Sequence, residues 1–448
     1  MLQSWTDTNT DKSLVRAINE LTAGNPDYWS FRKDARRDGV HGLIQYPAMM
    51  IPSMQSKLLE LVNEAHGNVQ RVLDPFVGGG TMLTETMTQG MSFSGFDINP
   101  LAILACKVKA GPYVTNGLRE IIEGILEEIR HDCKRDFSVN FNGQAKWFSK
   151  GASIGLSRIR RAIITKSDLW VRQFAWLCMA ETIRRCSNSR TSTYKLHIKP
   201  DDGSAITADR VIRIFSEVIQ SNALRVLRQQ EVFSEFGVIE CGRYRGSINI
   251  QYQDVTKVNP KSQNIKSTVL FTSPPYGDNA TTIPYGQFSF LALNWIPLCD
   301  IDLDIPLDIN KNTHSIDSAS VGGSNRNAAV KASELSEVSA EFNKFHKRVG
   351  GSEFSYGKRL SSFCFDLRDS IKSFSNLIEN NGYMVWTLGN RSLDGKRVPL
   401  DKIVWEFLEE QGMRRVLQFE RTIPSKRMPT RNSCSDTMAT EIVLIAGS

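Results

Sequence analysis

The sequence predicts an α/β fold, a doubly wound Rossmann-like sheet carrying a mainly helical insertion, and three observations predict it. Between residues 53 and 97 a helix, a short apolar strand, a glycine-rich turn, a second helix and another strand follow in order, which is the first half of such a sheet. From about 111 to 245 helical patterns replace strand signals. After 246, short β-branched and aromatic runs return between amphipathic helices, so the same sheet is resumed. The expected organisation is residues 1–110 as the N-terminal part of the α/β domain, 111–245 as the insertion and 246–448 as the C-terminal part.

Element by element, SMQSKLLELVNEAH (53–66) places Leu58, Leu59 and Val62 on one helical face, and RVLDPF runs as a buried strand into the glycines. Met82, Leu83 and Met87 mark the helix that ends before Gly90, and FSGFDINP reads as the next strand. In the insertion, GLREIIEGILEEIR, LWVRQFAWLCMAETIRR and RVIRIFSEVIQSNALRVL are helical. The second is apolar nearly all round, at Trp170, Val171, Phe174, Trp176, Leu177 and Met179, as a core-forming helix must be. Further strands are expected within 247–255, 267–276, 382–390, 414–423 and 440–447. The polar stretch at 300–360, poor in apolar periodicity, reads as a long mobile loop beside the strand that ends near 276.

A chain of 448 residues, 41% hydrophobic and 23% charged, supports a sizeable core rather than disorder. Its net charge of +7 suits a polyanionic partner without requiring one. The eight cysteines contain no C-x-x-C pair and the six histidines no ligand spacing, so neither a metal site nor a disulfide framework is expected. The first residues lack a basic segment followed by an apolar core, and no apolar run of about 18 residues occurs, so a cytoplasmic protein without a membrane span is expected.

The loop Asp74-Pro75-Phe76-Val77-Gly78-Gly79-Gly80-Thr81 joins a strand to a helix, where glycines let a ligand approach the backbone. It lacks the lysine of G-x-x-x-x-G-K-[ST] and is not G-x-G-x-x-G, which disfavours a nucleoside triphosphate. Asp97 ends the next strand, 23 residues after Asp74, a placement suited to accepting hydrogen bonds from ribose hydroxyls. Capping of the helix that starts near Pro100 is the alternative role.

With HGLIQYPAMMIPSMQSKLLELV before it, GFDINPLA after it and TSPPYGDN further on, this loop resembles the motif set of S-adenosylmethionine-dependent DNA amino-methyltransferases, the N4-cytosine type in particular. The resemblance spans roughly 41–110 and 247–300, with looser support from 380–447, and the loop reads GGG where GSG is commoner in that family. It implies a methyltransferase sheet and S-adenosyl-L-methionine as cofactor. The segment from Tyr46 to Leu59, with Phe76, Gly78 and Gly80, would hold the methionine part, Asp97 the ribose, and Asp254 would lie near the adenine. Pro47, Asp74, Pro75, Thr81 and Asn99 complete the implied cofactor set.

By the same resemblance Ser273-Pro274-Pro275-Tyr276 is the catalytic loop. An exocyclic amine is a poor nucleophile because its lone pair is delocalised into the ring, and acceptors aimed at its N–H bonds stabilise the charge that grows as the methyl arrives. The Ser273 hydroxyl and the Pro274 carbonyl supply two such acceptors, the prolines fix the backbone, and Tyr276 offers a face on which an extruded base stacks. No general base, metal or nucleophilic cysteine is needed. Alone, the motif would be a turn after a strand, but downstream of the glycine loop it points to catalysis. Tyr285, Phe288 and Trp295 either line the base pocket or pack a helix.

Arg184, Arg185 and Arg190 in the insertion, and Lys426 and Arg427 before the last strand, are the expected phosphate contacts, a solvated surface being the alternative. The expected function is site-specific methyl transfer to cytosine N4 in double-stranded DNA by base flipping. Adenine N6 comes next, followed by RNA guanosine-N2 methylation and an inactive DNA-binding subunit. Target recognition is expected to be shared between 111–245 and 300–360, and any cognate restriction endonuclease would be a separate chain.

Overall fold

Short apolar runs bounded by glycine or polar residues become strands, and in the computed structural model they assemble into one eight-stranded sheet. The structure describes residues 2–32, 38–112, 117–200, 205–257, 266–279, 282–423 and 438–448. The sheet strands are β1 Gln3–Ser4, β2 Arg71–Asp74, β3 Ser92–Asp97, β4 Ile248–Tyr252, β5 Ser267–Thr272, β6 Ile378–Leu388, β7 Arg414–Thr422 and β8 Thr440–Gly447. They lie in the order β1-β7-β8-β6-β5-β2-β3-β4. The block from β6 to β4 is parallel, while β8 runs against both β6 and β7 and β1 runs against β7. β5 is buried along its whole length, as a parallel strand covered on both faces requires.

From β2 the chain moves outward to β3 and β4, then crosses back to β5 on the other side of β2. The winding therefore reverses between β2 and β5. Open α/β sheets bind ligands in the crevice that such a reversal leaves beyond the carboxyl ends of the strands. Here those ends carry the glycine loop and the Ser-Pro-Pro-Tyr turn.

Helices α1 Asn9–Gly24, α2 Pro52–His66, α3 Thr81–Thr88 and α4 Pro100–Ala110 belong to the sheet's first half. The insertion supplies α5 Leu118–His131, α6 Lys150–Ile164, α7 Leu169–Cys186 and α8 Ala208–Glu235. These share one apolar core with α4, and α7 is buried nearly all round, as its sequence requires. Among the described residues no helix is long and apolar enough to cross a membrane.

The expectation of a long mobile loop over 300–360 is corrected by the structure. After α9 Tyr285–Leu293 the chain forms α10 Ser315–Ala319, α11 Ala328–Val338, α12 Ala340–Arg348 and α13 Ser355–Ser375, with α14 Leu400–Glu410 after β6. Ala332, Leu335, Phe342 and Phe345 are buried in the same core as α13 and β6. The periodicity is hidden because Ser339 ends α11 and caps α12, its hydroxyl accepting from Phe342 N–H at 3.0 Å, so each helix is too short for a repeat to stand out.

Candidate active site

β2 ends at Asp74, and the next residues turn through two left-handed glycines, Gly78 at φ 47° and Gly80 at φ 73°. The turn is pinned to β3: Val77 N–H donates to Phe96 O at 3.0 Å and Gly78 N–H to Asp97 Oδ2 at 2.9 Å. Gly80 is the N-cap of α3 and has no side chain to cap it, so the positive end of that helix opens on the crevice. A Cβ on Gly79 would approach Met49 to 3.1 Å and Tyr46 to 3.3 Å, which explains a third glycine where a larger residue would push on the Tyr46–Met50 segment.

The two aspartates have different jobs. Asp74 is fully buried, and its Oδ1 accepts from the Thr272 hydroxyl at 2.7 Å and from Phe76 N–H at 3.1 Å. Since Thr272 is the last residue of β5, this bond ties the base of the glycine loop to the base of the Ser-Pro-Pro-Tyr turn. Burial, with Asp97 nearby, pushes the Asp74 carboxyl up to about 7. Asp97 accepts from Asn99 N–H at 2.8 Å through Oδ1 as well as from Gly78, and burial pushes it up to about 6 against these bonds. The backbone of Ile98 also donates to this carboxylate, which still has lone-pair room for a ligand hydroxyl. Capping of α4 falls to Asn99, whose Oδ1 accepts from Leu101 N–H at 3.1 Å. Its amide donates to Tyr46 Oη at 3.0 Å and Ser289 Oγ at 2.8 Å, bracing the pocket wall.

A pocket opens between these loops. Of the residues singled out in the sequence, Tyr46, Pro47, Pro75, Phe76, Gly78, Thr81, Asp97, Asn99, Asp254, Ser273 and Pro275 line it. Asp74, Gly80 and Pro274 are not among its lining residues. Asp254 ends its strand region with Oδ1 accepting from Thr256 and Oδ2 paired with Lys257 at 2.9 Å. Tyr285, ambiguous in the sequence, belongs to the pocket and stacks on Tyr46 with ring centres 5.9 Å apart. Asn279, Ile316, Ala319, Ser320 and Val321 also line it. No periodic signal marks Ile316 to Val321, because they reach the pocket through α10 and the turn after it, within the 300–360 segment corrected above.

The arrangement suits a nucleoside-bearing cofactor: a tight glycine turn and a helix N-terminus on one side, a carboxylate acceptor at the end of β3, and apolar Met49, Val255 and Val321 around them. Ser273 lines the same cavity.

The chain is similar over nearly all its length to a Type II methyltransferase. That relative, M.MvaI of Kocuria varians, is 27% identical over 454 aligned positions, which cover 97% of each chain. A second, the Type II methyltransferase M.MjaII of Methanocaldococcus jannaschii, is 33% identical over 100 residues, 22% of this chain and 18% of that one. No protein-family model matches. The two relatives support reading the chain as a methyltransferase.

For the methyltransferase reading, Tyr276 is the residue whose surroundings are most informative. Tyr276 is not among the residues that line the cofactor-sized pocket; it lines a second, smaller one with Asp278, Arg359, Phe363 and Arg391. Its hydroxyl is 3.1 Å from Ser273 Oγ and 3.1 Å from Glu441 Oε1. Burial, and then the Glu441 carboxylate, hold the phenol well above its ordinary titration range. Arg184 and Arg185 both pair with the buried Glu181, at 2.7 and 2.8 Å, so two cations and one anion leave a single net positive charge. Arg190 is exposed on a loop that packs on α9 through Tyr194 and Phe288. Lys426 and Arg427 lie outside the described residues.

Proposed function

We propose that the chain is an S-adenosylmethionine-dependent DNA methyltransferase that methylates an exocyclic amino group, cytosine N4 before adenine N6. The observation that carries this reading is that Ser273 and Pro275 face the same pocket as the glycine loop and Asp97, at the reversal of the sheet. The end-to-end likeness to a Type II methyltransferase supports it, and so does the buried strut from Asp74 to Thr272, which sets the distance between the two loops.

In this reading the glycine turn and Tyr46 hold the methionine part of the cofactor, Asp97 accepts from the ribose hydroxyls, and Asp254 and Val255 lie at the adenine end. When bound, S-adenosylmethionine supplies an activated methyl group. The protein's own task is to bring the amine of an extruded base to Ser273 and the Pro274 carbonyl, which accept its two N–H bonds. The Tyr276 ring, on the wall of the adjoining pocket, is the stacking face for that base. The partner is double-stranded DNA, read by the insertion and the 300–360 helices together, and a cognate endonuclease would be a separate chain.

The test is transfer of labelled methyl from S-adenosylmethionine to unmethylated duplex DNA, followed by separation of the nucleosides. N4-methylcytosine is expected. N6-methyladenine moves the target to adenine, and label in 5-methylcytosine overturns the mechanism, since that chemistry needs a nucleophilic cysteine that this loop lacks. Ser273→Ala is expected to cut turnover by about 10-fold or more while leaving DNA affinity unchanged.

A further inference from the structure

We propose that Glu441 sets the direction of the hydrogen bonds at the catalytic serine, so that Ser273 turns its lone pairs rather than its proton towards the substrate amine. The inference rests on the amino-methylation reading above and concerns a residue 165 positions away from Tyr276 in the chain. β8 is antiparallel to β6, and Ile442 pairs with Leu388. Its first residues therefore reach the edge of the sheet where β5 and β6 end, beside the Ser-Pro-Pro-Tyr turn.

Three side chains are then linked in series. Glu441 Oε2 pairs with Arg421, its cross-strand neighbour on β7, and Arg421 is only 6% exposed. Glu441 Oε1 is 3.1 Å from Tyr276 Oη, which is 3.1 Å from Ser273 Oγ. A carboxylate paired with a guanidinium has only lone pairs to offer. Tyr276 has one proton and gives it to Glu441, so its oxygen can only accept from Ser273. The Ser273 proton is thereby directed at Tyr276, and the remaining lone pairs of its oxygen face the pocket as acceptors for an amine N–H.

With the series reversed, Ser273 would aim its own O–H at the amine and compete for the nitrogen lone pair that must attack the methyl group. Glu441 touches neither substrate nor cofactor in this scheme. It is a positioning residue, acting through Tyr276.

The experiment measures single-turnover methyl transfer to unmethylated duplex DNA with enzyme in excess, alongside dissociation constants for S-adenosylmethionine and for DNA. In Glu441→Gln the amide can donate to Tyr276, so the polarity is no longer fixed. The rate is expected to fall about 10-fold or more with both dissociation constants within about twofold of wild type. In a Tyr276→Phe background the link is already cut, and Glu441→Gln is expected to add less than about a twofold further loss.

An unchanged rate in Glu441→Gln, or a full additional loss in the Tyr276→Phe background, overturns the proposal. Should Glu441→Gln fail to fold, Tyr276→Phe alone decides, because it frees the Ser273 proton. Its rate is expected to fall with cofactor binding intact, and an unchanged rate again overturns the proposal. A wild-type protein that labels no amino group in DNA overturns the functional reading, and this inference with it. Absence of the variant effects in an active enzyme overturns this inference alone.

Discussion

For the ribose-binding role proposed for it, Asp97 has to remain a charged acceptor in a place where burial opposes its charge. Three backbone N–H groups, from Asn99, Gly78 and Ile98, offset part of that desolvation, yet its carboxyl still sits at about 6. With ribose hydroxyls as its ligands, Asp97→Ala should weaken S-adenosylmethionine binding by about 1.5–3 kcal/mol, some 10- to 150-fold, read by calorimetry. The sign with pH follows. The group is ionised above about 6 and protonated below it, so affinity should fall as pH drops from 7.5 to 5, and Asp97→Asn should flatten that dependence. Wild-type affinity that is flat across this range removes Asp97 from the ligand set. Spacing after the glycine loop was enough to single out Asp97. It did not distinguish Asp97 from Asn99 as the cap of α4, because both flank the helix start and only the observed bonds separate them.

At the scale of elements, the site depends on how firmly β2 is held to β5. Asp74 and Thr272 are that bond, at 2.7 Å, and neither is exposed beyond 1%. Thr272→Val removes the donor and should cost about 1–3 kcal/mol of stability by urea unfolding. The hydroxyl holds the Asp74 carboxyl down against burial, so its loss raises a group already at about 7. A carboxylate with a raised folded-state value loses stability as pH rises through that value, and the variant should therefore be more destabilised at pH 8 than at pH 6. An equal loss at both pH values would mean that the bond carries no charge-dependent part.

The 300–360 segment makes a second case at this scale. Phe345, 4% exposed on α12, packs in the core with α13. Phe345→Ala should destabilise by about 3–5 kcal/mol, whereas a residue on a mobile loop would change the unfolding midpoint hardly at all. The strands were legible because their apolar runs are short, dense and bounded by glycine. Helices α11 and α12, at 11 and 9 residues with serine between them, leave too little repeat to detect.

For the whole molecule, a net charge of +7 and DNA as the proposed partner imply binding that weakens with salt. Because Glu181 shares its carboxylate between Arg184 and Arg185, those two arginines should count less than their number suggests. Arg190→Ala, at an exposed loop position, should lower the slope of log affinity against log salt by about one unit, and Arg185→Ala by less than that. Equal slopes for Arg190→Ala and wild type would make that loop ordinary surface. The sequence by itself determined the local chemistry: the order of strands and turns, the glycine loop, Asp97 at a strand end and the Ser-Pro-Pro-Tyr motif, all carried by neighbours within a few residues. Only the tertiary structure decided what meets at the site from far along the chain. Tyr285 and Ile316 reach the pocket through short helices, Asp74 braces Thr272, and Glu441 stands behind Tyr276 because β8 runs backwards. Strand direction and the closure of distant loops depend on how the sheet pairs as a whole, and no window of local sequence carries that information.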